Sequence, residues 1–551
     1  MASTAGHDVV VVGGGSAGCA LAARLSENPS RRVLLLEAGP DYAALEDFPL
    51  ELTRALSMAA AFPGHPASWN FVVELTPGRR YPHARGKVIG GSSTINGTYF
   101  VRGRPEDFDG WAAMGHDLWS YQQVLPFFRK CESDRDFGGA YHGQDGPIPI
   151  RRPGDEELRD VSRAFVDACL AAGYGAEPDK NAPGPSGIGP TPRNVANGFR
   201  INTAAGYLTP ARDRPNLTVL GDSLVRRVLF DGTRATGVEV ERQGQPVTYA
   251  AGEVVLCAGG IKSPHILMLS GVGPAEELRR HGIAVVHDNP GVGRHVKDHP
   301  SLPVNFLVRD DDAPLPIDFM SFQSTLNHTA EGSDIPSDLQ ITCGSATMAQ
   351  MMRPAGASGL RGRLPSYLTR PIRTLNALRK LPARLVMSEA RTQDTLRLLC
   401  SLEAEKSTGA ITLRSADPAE APVINLNYLS HPDDLPRLRA NLRVATDLLL
   451  SPSFRKLKLR LVGLTRDDLA SNAAMDGWIR NNLGTSYHTS CATRMGPASD
   501  PTAVVDQRGR VHGVEGLRVA DISIMPEITR RGPAATAVMI GERIAALMET
   551  D

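Results

Sequence analysis

The sequence predicts an α/β fold: a Rossmann-like dinucleotide-binding domain joined to a second, discontinuous lobe of α+β character. Three observations carry that prediction. An apolar run, Val9 to Val12, meets Gly13-Gly14-Gly15-Ser16-Ala17-Gly18 and leads through a helix-patterned stretch to a second run, Val33 to Leu36, that ends in Glu37. Two further glycine-rich segments, at 81–104 and 253–273, lie far along the chain. The length, 551 residues, leaves room for more than one core.

The first segment is strand, glycine turn, helix, strand, acid. Gly13 allows the tight turn, Gly15 lets the backbone approach a pyrophosphate, and Gly18 lets helix and strand pack closely. Ala17, Leu21 and Leu25 recur at helical spacing. The helix start turns free N–H groups and a partial positive charge toward phosphates. Glu37 stands 19 residues after Gly18, where an acid hydrogen-bonds a ribose hydroxyl and favours an adenosine without a 2′-phosphate.

The second segment reads YPHARGKVIGGSSTINGTYFVRGR. Its glycines, hydroxyls and single amide let it run beside a flat or extended ligand. In the third, EVVLCAGGIKSPHILMLSGVG, a β-type run breaks at Ala258-Gly259-Gly260, and Ser263-Pro264 starts a helix. Before it, Leu217 to Leu220, Val225 to Phe230 and Gly237 to Val240 alternate like strands of a small antiparallel sheet.

Composition narrows the class. Lys+Arg and Asp+Glu both number 60, so no net charge steers the chain to nucleic acid or an anionic membrane. Seven scattered cysteines with no C-x-x-C argue against a disulfide framework or thiolate zinc site and for a reducing compartment. The first strand begins close to Met1, leaving no room for a secretory signal, and no apolar run approaches the ~18 residues of a membrane helix. A cytoplasmic protein without a membrane span is expected.

The three segments, in this order, resemble those of the glucose–methanol–choline (GMC) flavoprotein oxidoreductases. The first ends in Leu36-Glu37-Ala38-Gly39. The second matches a family signature around Arg85-Gly86-Lys87-Val88-Ile89-Gly90-Gly91-Ser92-Ser93 and Asn96. The third matches another, from Gly259-Gly260 through Ser270-Gly271. Gly291-Val292-Gly293, Asp298-His299-Pro300, Leu413 to Pro418 and Val519-Ala520-Asp521 look like further landmarks, so the likeness spans essentially the whole chain. It implies FAD. Ser16 and Ala17 would line the pyrophosphate and Glu37 take the ribose. Val88, Gly91, Asn96 and Gly97 would approach the flavin, and the Val225 backbone the adenine. Ala258 belongs to the third cofactor segment. Asp521 and Ile522 would sit near the ribityl and pyrophosphate, and Pro533 and Thr536 near the pyrimidine edge. Where some members attach FAD through a histidine, this chain has Ile95, which predicts non-covalent FAD.

Flavin-dependent alcohol oxidation needs a base for the hydroxyl proton, and histidine suits it. His488, in Tyr487-His488-Thr489-Ser490, resembles the family's catalytic base. The family's following Pro-x-Gly-Thr is Thr489-Ser490-Cys491-Ala492 here. The family's second His or Asn falls on or next to Ala534, within a stretch that has neither. Arg530 and Arg531 are candidates to hold a carboxylate or phenolate instead, or else surface charge. His295 and His299, spaced i, i+4, are read as structural, and no metal site is expected.

The resemblance divides the chain into an FAD-binding domain of residues 7–115, 195–310 and 480–551 and a substrate-binding domain of 116–194 and 311–479. Within the latter, Asp433-Asp434-Leu435-Pro436 reads as a helix start, and Leu438, Leu442, Ala445 and Leu449 as its core stripe. Residues 351–391 hold nine Lys/Arg and one acid: a basic amphipathic flap touching a membrane, partner or anionic substrate, or a solvated helical hairpin. The expected function is FAD-dependent oxidation of a small alcohol, with electrons passing to O2 or a quinone-like acceptor. With Ala534 at the partner position, non-oxidative chemistry on the same scaffold is the alternative, hydroxynitrile lyase-like or photodecarboxylase-like.

Overall fold

The computed structural model describes residues 6–309, 315–316, 318–352, 368 and 370–551. Val9 to Val12 and Val33 to Leu36 are fully buried central strands of a seven-stranded sheet. The strand His7–Val12 pairs in parallel with Val33–Leu36 on one side and Gln245–Leu256 on the other. Helix Ser16–Leu25 and the terminal helix Ala534–Met548 pack together against this region. Parallel strands covered in this way need apolar residues at every position, which explains the unbroken valine and leucine runs.

The strand Gln245–Leu256 serves two sheets. Its first half pairs antiparallel with Arg234–Arg242, which pairs in turn with Ser223–Asp231, as the alternating pattern predicts. Its second half is parallel and ends at the cofactor cradle. Two expectations are corrected here. Leu217–Leu220 does not join the antiparallel strands but lies parallel to Val33–Leu36, whose free edge its backbone satisfies. The helix after Cys257 runs Gly259–Leu269, so Pro264 is inside it rather than at its start. Ser263 Oγ donates to Asp521 and accepts from the Ala258 N–H, tying down this early helix start.

The second large sheet is antiparallel, in the order Arg460–Val462, Pro300–Leu307, Leu396–Leu402, Leu339–Gly344, Phe322–His328, Ile188–Pro190, with Gly484–Thr485 also pairing to Pro300–Leu307. Helices Asp434–Leu449 and Asp160–Ala171 pack against it. The period of two then sorts its strands. Leu398 and Cys400 are core, while Arg397, Leu399 and Ser401 line a cavity. The expected helix start at Asp433–Pro436 holds, and the stripe Leu438, Leu442, Ala445 and Leu449 is buried.

Of the basic segment, Arg353, Arg361 and Arg363 lie outside the described residues. The rest forms two helices, Pro371–Leu378 and Ala383–Thr392, whose Leu378, Leu385 and Val386 line the cavity. Ile372, Leu375 and Met387 face outward. Among the described residues all seven cysteines are free and buried, and no helix is long and apolar enough to cross a membrane.

Candidate active site

A cavity of about 670 Å³ runs between the two sheets. It is walled by Gly13, Gly15, Ser16, Ala17, Glu37, Ala38, Val225 and Ala258, by Gly91, Asn96, Gly97, Asp521, Ile522 and Pro533, and by His488. Thus most of the residues chosen from sequence converge on one space. Gly18, Val88 and Thr536 stand behind its wall.

The glycines show why the cradle needs them. A Cβ on Gly18 would come 2.0 Å from the Gly13 carbonyl oxygen, and one on Gly13 would come 2.6 Å from that of Cys257. Gly91 would drive a Cβ to 2.6 Å from the Gly15 Cα. At Gly15 itself nothing lies nearer than 3.9 Å, so the backbone there is open toward the cavity. Replacing Gly18 with Val therefore forces the helix off the first strand. The expected result is protein purified without bound flavin, read from the ratio of flavin to protein absorbance.

Polar groups complete the cradle. Glu37 accepts from the N–H groups of Gly14 (3.0 Å) and Gly39 (2.9 Å), and its burial pushes the carboxyl up to about 7. Asp521 accepts from Gly259 N (2.8 Å), Ser523 N (2.8 Å) and Ser263 Oγ (2.5 Å), which holds the start of one helix against the end of the Leu517–Val519 strand. Thr536 Oγ1 is buried without a partner, beside Pro533 and Ala537 in the cavity wall. Open backbone at Gly15, an acid at the end of the second strand and an orphaned hydroxyl beside Pro533 suit an extended dinucleotide such as FAD.

His488 sits in an irregular stretch after Gly484–Thr485. Asp298 organises that stretch, accepting from His488 N (2.7 Å), Thr485 Oγ1 (2.8 Å) and Thr489 Oγ1 (3.1 Å). Arg85 donates to the Tyr487 carbonyl, and Tyr487 holds φ at +63°. His488 Nδ1 lies 2.8 Å from His299 Nδ1, with the rings nearly perpendicular at 89°. His299 Nδ1 is also 3.0 Å from Glu403 Oε2. The other edge of the His488 ring faces Gly532, where a Cβ would stand 3.4 Å from Nε2.

Burial sets the protonation of this group. It lowers His488 well below 6.5, helped by His299, Arg85 and His83, and lowers His299 to about 3. It raises Glu403 to about 8 against the opposing pull of Arg531. Two neutral imidazoles and a neutral carboxyl thus stand in line at pH 7. When His488 carries its proton on Nδ1 and donates it to His299, its Nε2 lone pair is left toward the cavity.

The ligand-type atoms of His299, Glu403 and His488 lie within 4.8 Å of one another, as do those of Glu132, Asp134 and His142. The second group already holds cations, with Arg102 on Glu132 and Arg152 on Asp134 at 2.9 Å. His299 was read from sequence as structural. Its motif lies almost 190 residues before His488, and the pairing of Pro300–Leu307 with Gly484–Thr485, the bridge between Lys297 and Ser490 and the Asp298 carboxylate bring the two together.

Arg530 and Arg531 are neither surface charges nor cavity groups. Both are buried. Arg530 Nε donates to Asp107 (2.6 Å), and Arg531 Nη2 to Glu177 (3.1 Å), which also holds Lys180 at 2.7 Å. Their part in the fold is structural pairing. Ala534 opens the terminal helix and lines the cavity, but the residue against the His488 ring is Gly532.

Comparison with known proteins agrees with this geometry. Two family models, both described as GMC oxidoreductase, match residues 7–301 and 405–541. A GMC-type oxidoreductase of Rhodococcus erythropolis is 39% identical over 99% of this chain and 98% of its own. An oxygen-dependent choline dehydrogenase of Ectopseudomonas mendocina is 38% identical over 98% and 93%. The crystal structure of pyridoxine 4-oxidase from Mesorbium loti superposes with a TM-score of 0.84 at 29% identity, covering 99% of each chain. The chain therefore belongs to the GMC oxidoreductases and is a flavoprotein enzyme whose family implies FAD.

Proposed function

We propose that this enzyme oxidises an alcohol with His488 as general base. The observation that carries the proposal is the placement of His488: its Nδ1 lies 2.8 Å from His299 Nδ1 and its ring stands in the wall of the cavity that the cofactor segments share, where burial holds its pKa well below 6.5. A bound flavin supplies the hydride acceptor. His488 Nε2 takes the hydroxyl proton, Asp298 fixes the backbone that carries the ring, and His299 fixes its tautomer. Glu37, Asp521 and the backbone at Gly15 hold the cofactor without a covalent bond, since Ile95 has no nucleophile at the attachment position. The electrons pass on to O2 or a quinone-like acceptor. An anaerobic titration tests this: loss of the oxidised-flavin absorption with an alcohol supports it, and an unreduced flavin across aliphatic, aryl and polyol alcohols counts against it. Denaturation that releases all flavin from the chain tests the non-covalent assignment.

One observation favours a second reading. Gly532, not a hydrogen-bonding side chain, lies against His488, so no side chain at that position holds a substrate oxygen. A lyase-like or photodecarboxylase-like flavoprotein would need no such pair, and would show turnover with the flavin staying oxidised.

The pH dependence follows from the same triad. A protonated His488 cannot accept a proton, and its pKa lies below 6.5, so the rate falls only as pH drops beneath that value. Above about 8, Glu403 ionises 3.0 Å from His299 Nδ1 and draws a proton onto that nitrogen. His299 Nδ1 then no longer accepts from His488, and the His488 tautomer with hydrogen on Nε2, which is lost as a base, is favoured. A bell-shaped profile of flavin-reduction rate is expected, and Glu403→Gln should remove its alkaline limb while leaving the acid limb. An unchanged alkaline limb in that variant would disprove the role of Glu403.

A further inference from the structure

The strand Leu396–Leu402 reads LRLLCSL, and Arg397 is its one charged residue. Its period-two partners Leu399 and Ser401 line the cavity with it. Arg397 is only 8% exposed, yet Nε and Nη2 are buried with no hydrogen-bond partner among the described residues. The other large buried arginines each have a protein partner. Arg193 donates to Thr98, Gly97 and Phe322, Arg200 donates to four carbonyls, Arg102 is paired with Glu132, and Arg531, whose own Nε and Nη1 are left over, is paired with Glu177 through Nη2. Glu389, on the helix Ala383–Thr392, lines the same cavity, but no ion pair joins it to Arg397 among the described residues. A buried guanidinium edge left unpaired at Nε and Nη2 is costly, and the group that relieves it best is a planar anion held by two parallel N–H bonds.

We propose that Arg397 is a substrate-binding residue, and that the alcohol oxidised by this enzyme carries a carboxylate. The inference rests on the reading of the cavity as the site of alcohol oxidation. Its geometry also bears on where the carboxylate sits. Ser401 Oγ lies 3.1 Å from Ser486 Oγ, two residues before His488. Arg397 is four residues further along the strand, about 13 Å at the strand rise of ~3.3 Å per residue, less the reach of its side chain. Phe322, Met351 and Met352 give the cavity an apolar wall. These features describe an alcohol whose carbinol and carboxylate are held apart by an apolar body, not an α-hydroxy acid. The same guanidinium disfavours a quaternary ammonium, because like charges repel most in a low-dielectric cavity.

The test pairs each acid with its neutral counterpart: para-hydroxymethylbenzoate with para-methylbenzyl alcohol, and an eight-carbon ω-hydroxy acid with the matching primary alcohol. Anaerobic flavin reduction is followed for wild type, Arg397→Gln and Arg397→Lys. The expected result is half-saturation by an acid at about tenfold lower concentration than by its neutral partner. Arg397→Gln should abolish that preference by raising the value for the acid alone. Arg397→Lys should restore part of it, because the charge survives without the planar fork. Equal half-saturation of acid and neutral alcohol in wild type, or tighter use of choline than of either acid, would overturn the proposal. Binding without turnover separates it from the reading it rests on. Terephthalate should perturb the oxidised-flavin spectrum of wild type and not of Arg397→Gln. If no alcohol reduces the flavin but this perturbation is seen, alcohol oxidation falls and the anion site stands. If alcohols reduce the flavin and terephthalate leaves the spectrum and the rate untouched, the anion site falls alone. A misfolded Arg397→Gln leaves Arg397→Lys and the wild-type comparison to decide.

Discussion

His488→Ala should lower the rate of alcohol-dependent flavin reduction by about 10²- to 10⁴-fold, the contribution of a positioned general base. Flavin content should stay at the wild-type level. The stretch around residue 488 is held through the backbone, with Asp298 accepting the residue's own N–H and the hydroxyls of Thr485 and Thr489. None of these bonds needs the imidazole. Among the described residues the ring's only side-chain hydrogen bond is to His299, whose burial already keeps it neutral, so its loss strands no charge. Stopped-flow reduction under anaerobic conditions separates this step from reoxidation. A rate within a few-fold of wild type would remove His488 from the chemistry. His299→Ala should fall between the two, because the base remains but loses the contact that selects its tautomer.

The second large effect is on stability. Arg531→Leu should cost about 3 kcal/mol, the range for breaking a buried ion pair from one side. Arg531 is wholly inaccessible, and its Nη2 bonds Glu177, a buried acid that also serves Lys180. Removing the guanidinium leaves Glu177 with Lys180 and the more distant Arg104 at 3.9 Å, so the carboxylate keeps a partner and the cost stays at the low end. The readout is the temperature at which flavin fluorescence is released, which should fall. The same substitution distinguishes pairing from substrate contact. A lower melting temperature with unchanged half-saturation by alcohols fits the geometry seen here. A raised half-saturation with unchanged melting would mean that Arg531 reaches the substrate.

Both arginines of the Arg530-Arg531 pair are candidates from sequence because a guanidinium can hold a carboxylate or phenolate and they lie just before Ala534, where the family has a hydrogen-bonding residue. Sequence position says nothing of which way a side chain turns. Asp107 lies 423 residues from Arg530, and Glu177 lies 354 from Arg531; these distant acids draw the two cations away from the cavity. Arg397 carried no motif, and its one signal was a charge in an otherwise apolar strand. That signal acquires meaning only once the sheet shows which side of Leu396–Leu402 faces helices and which faces the cavity.

The sequence by itself determined the cofactor-binding architecture. Close approach of backbones tolerates only glycine, and a covered parallel strand tolerates only apolar residues, so Gly13, Gly18 and the valine run announce the cradle locally. The helix Asp434–Leu449 was legible for a similar reason, since a buried stripe must recur at helical spacing. Only the tertiary structure decided the rest: that Leu217–Leu220 closes a parallel edge, that His299 and Glu403 stand behind His488, that Gly532 faces its ring, and that Arg397 rather than Arg530 or Arg531 enters the cavity. Each of these depends on contacts between segments remote in the chain. Such contacts are set by strand pairing and by the need of every buried charge for a partner, and neither is encoded in a local pattern.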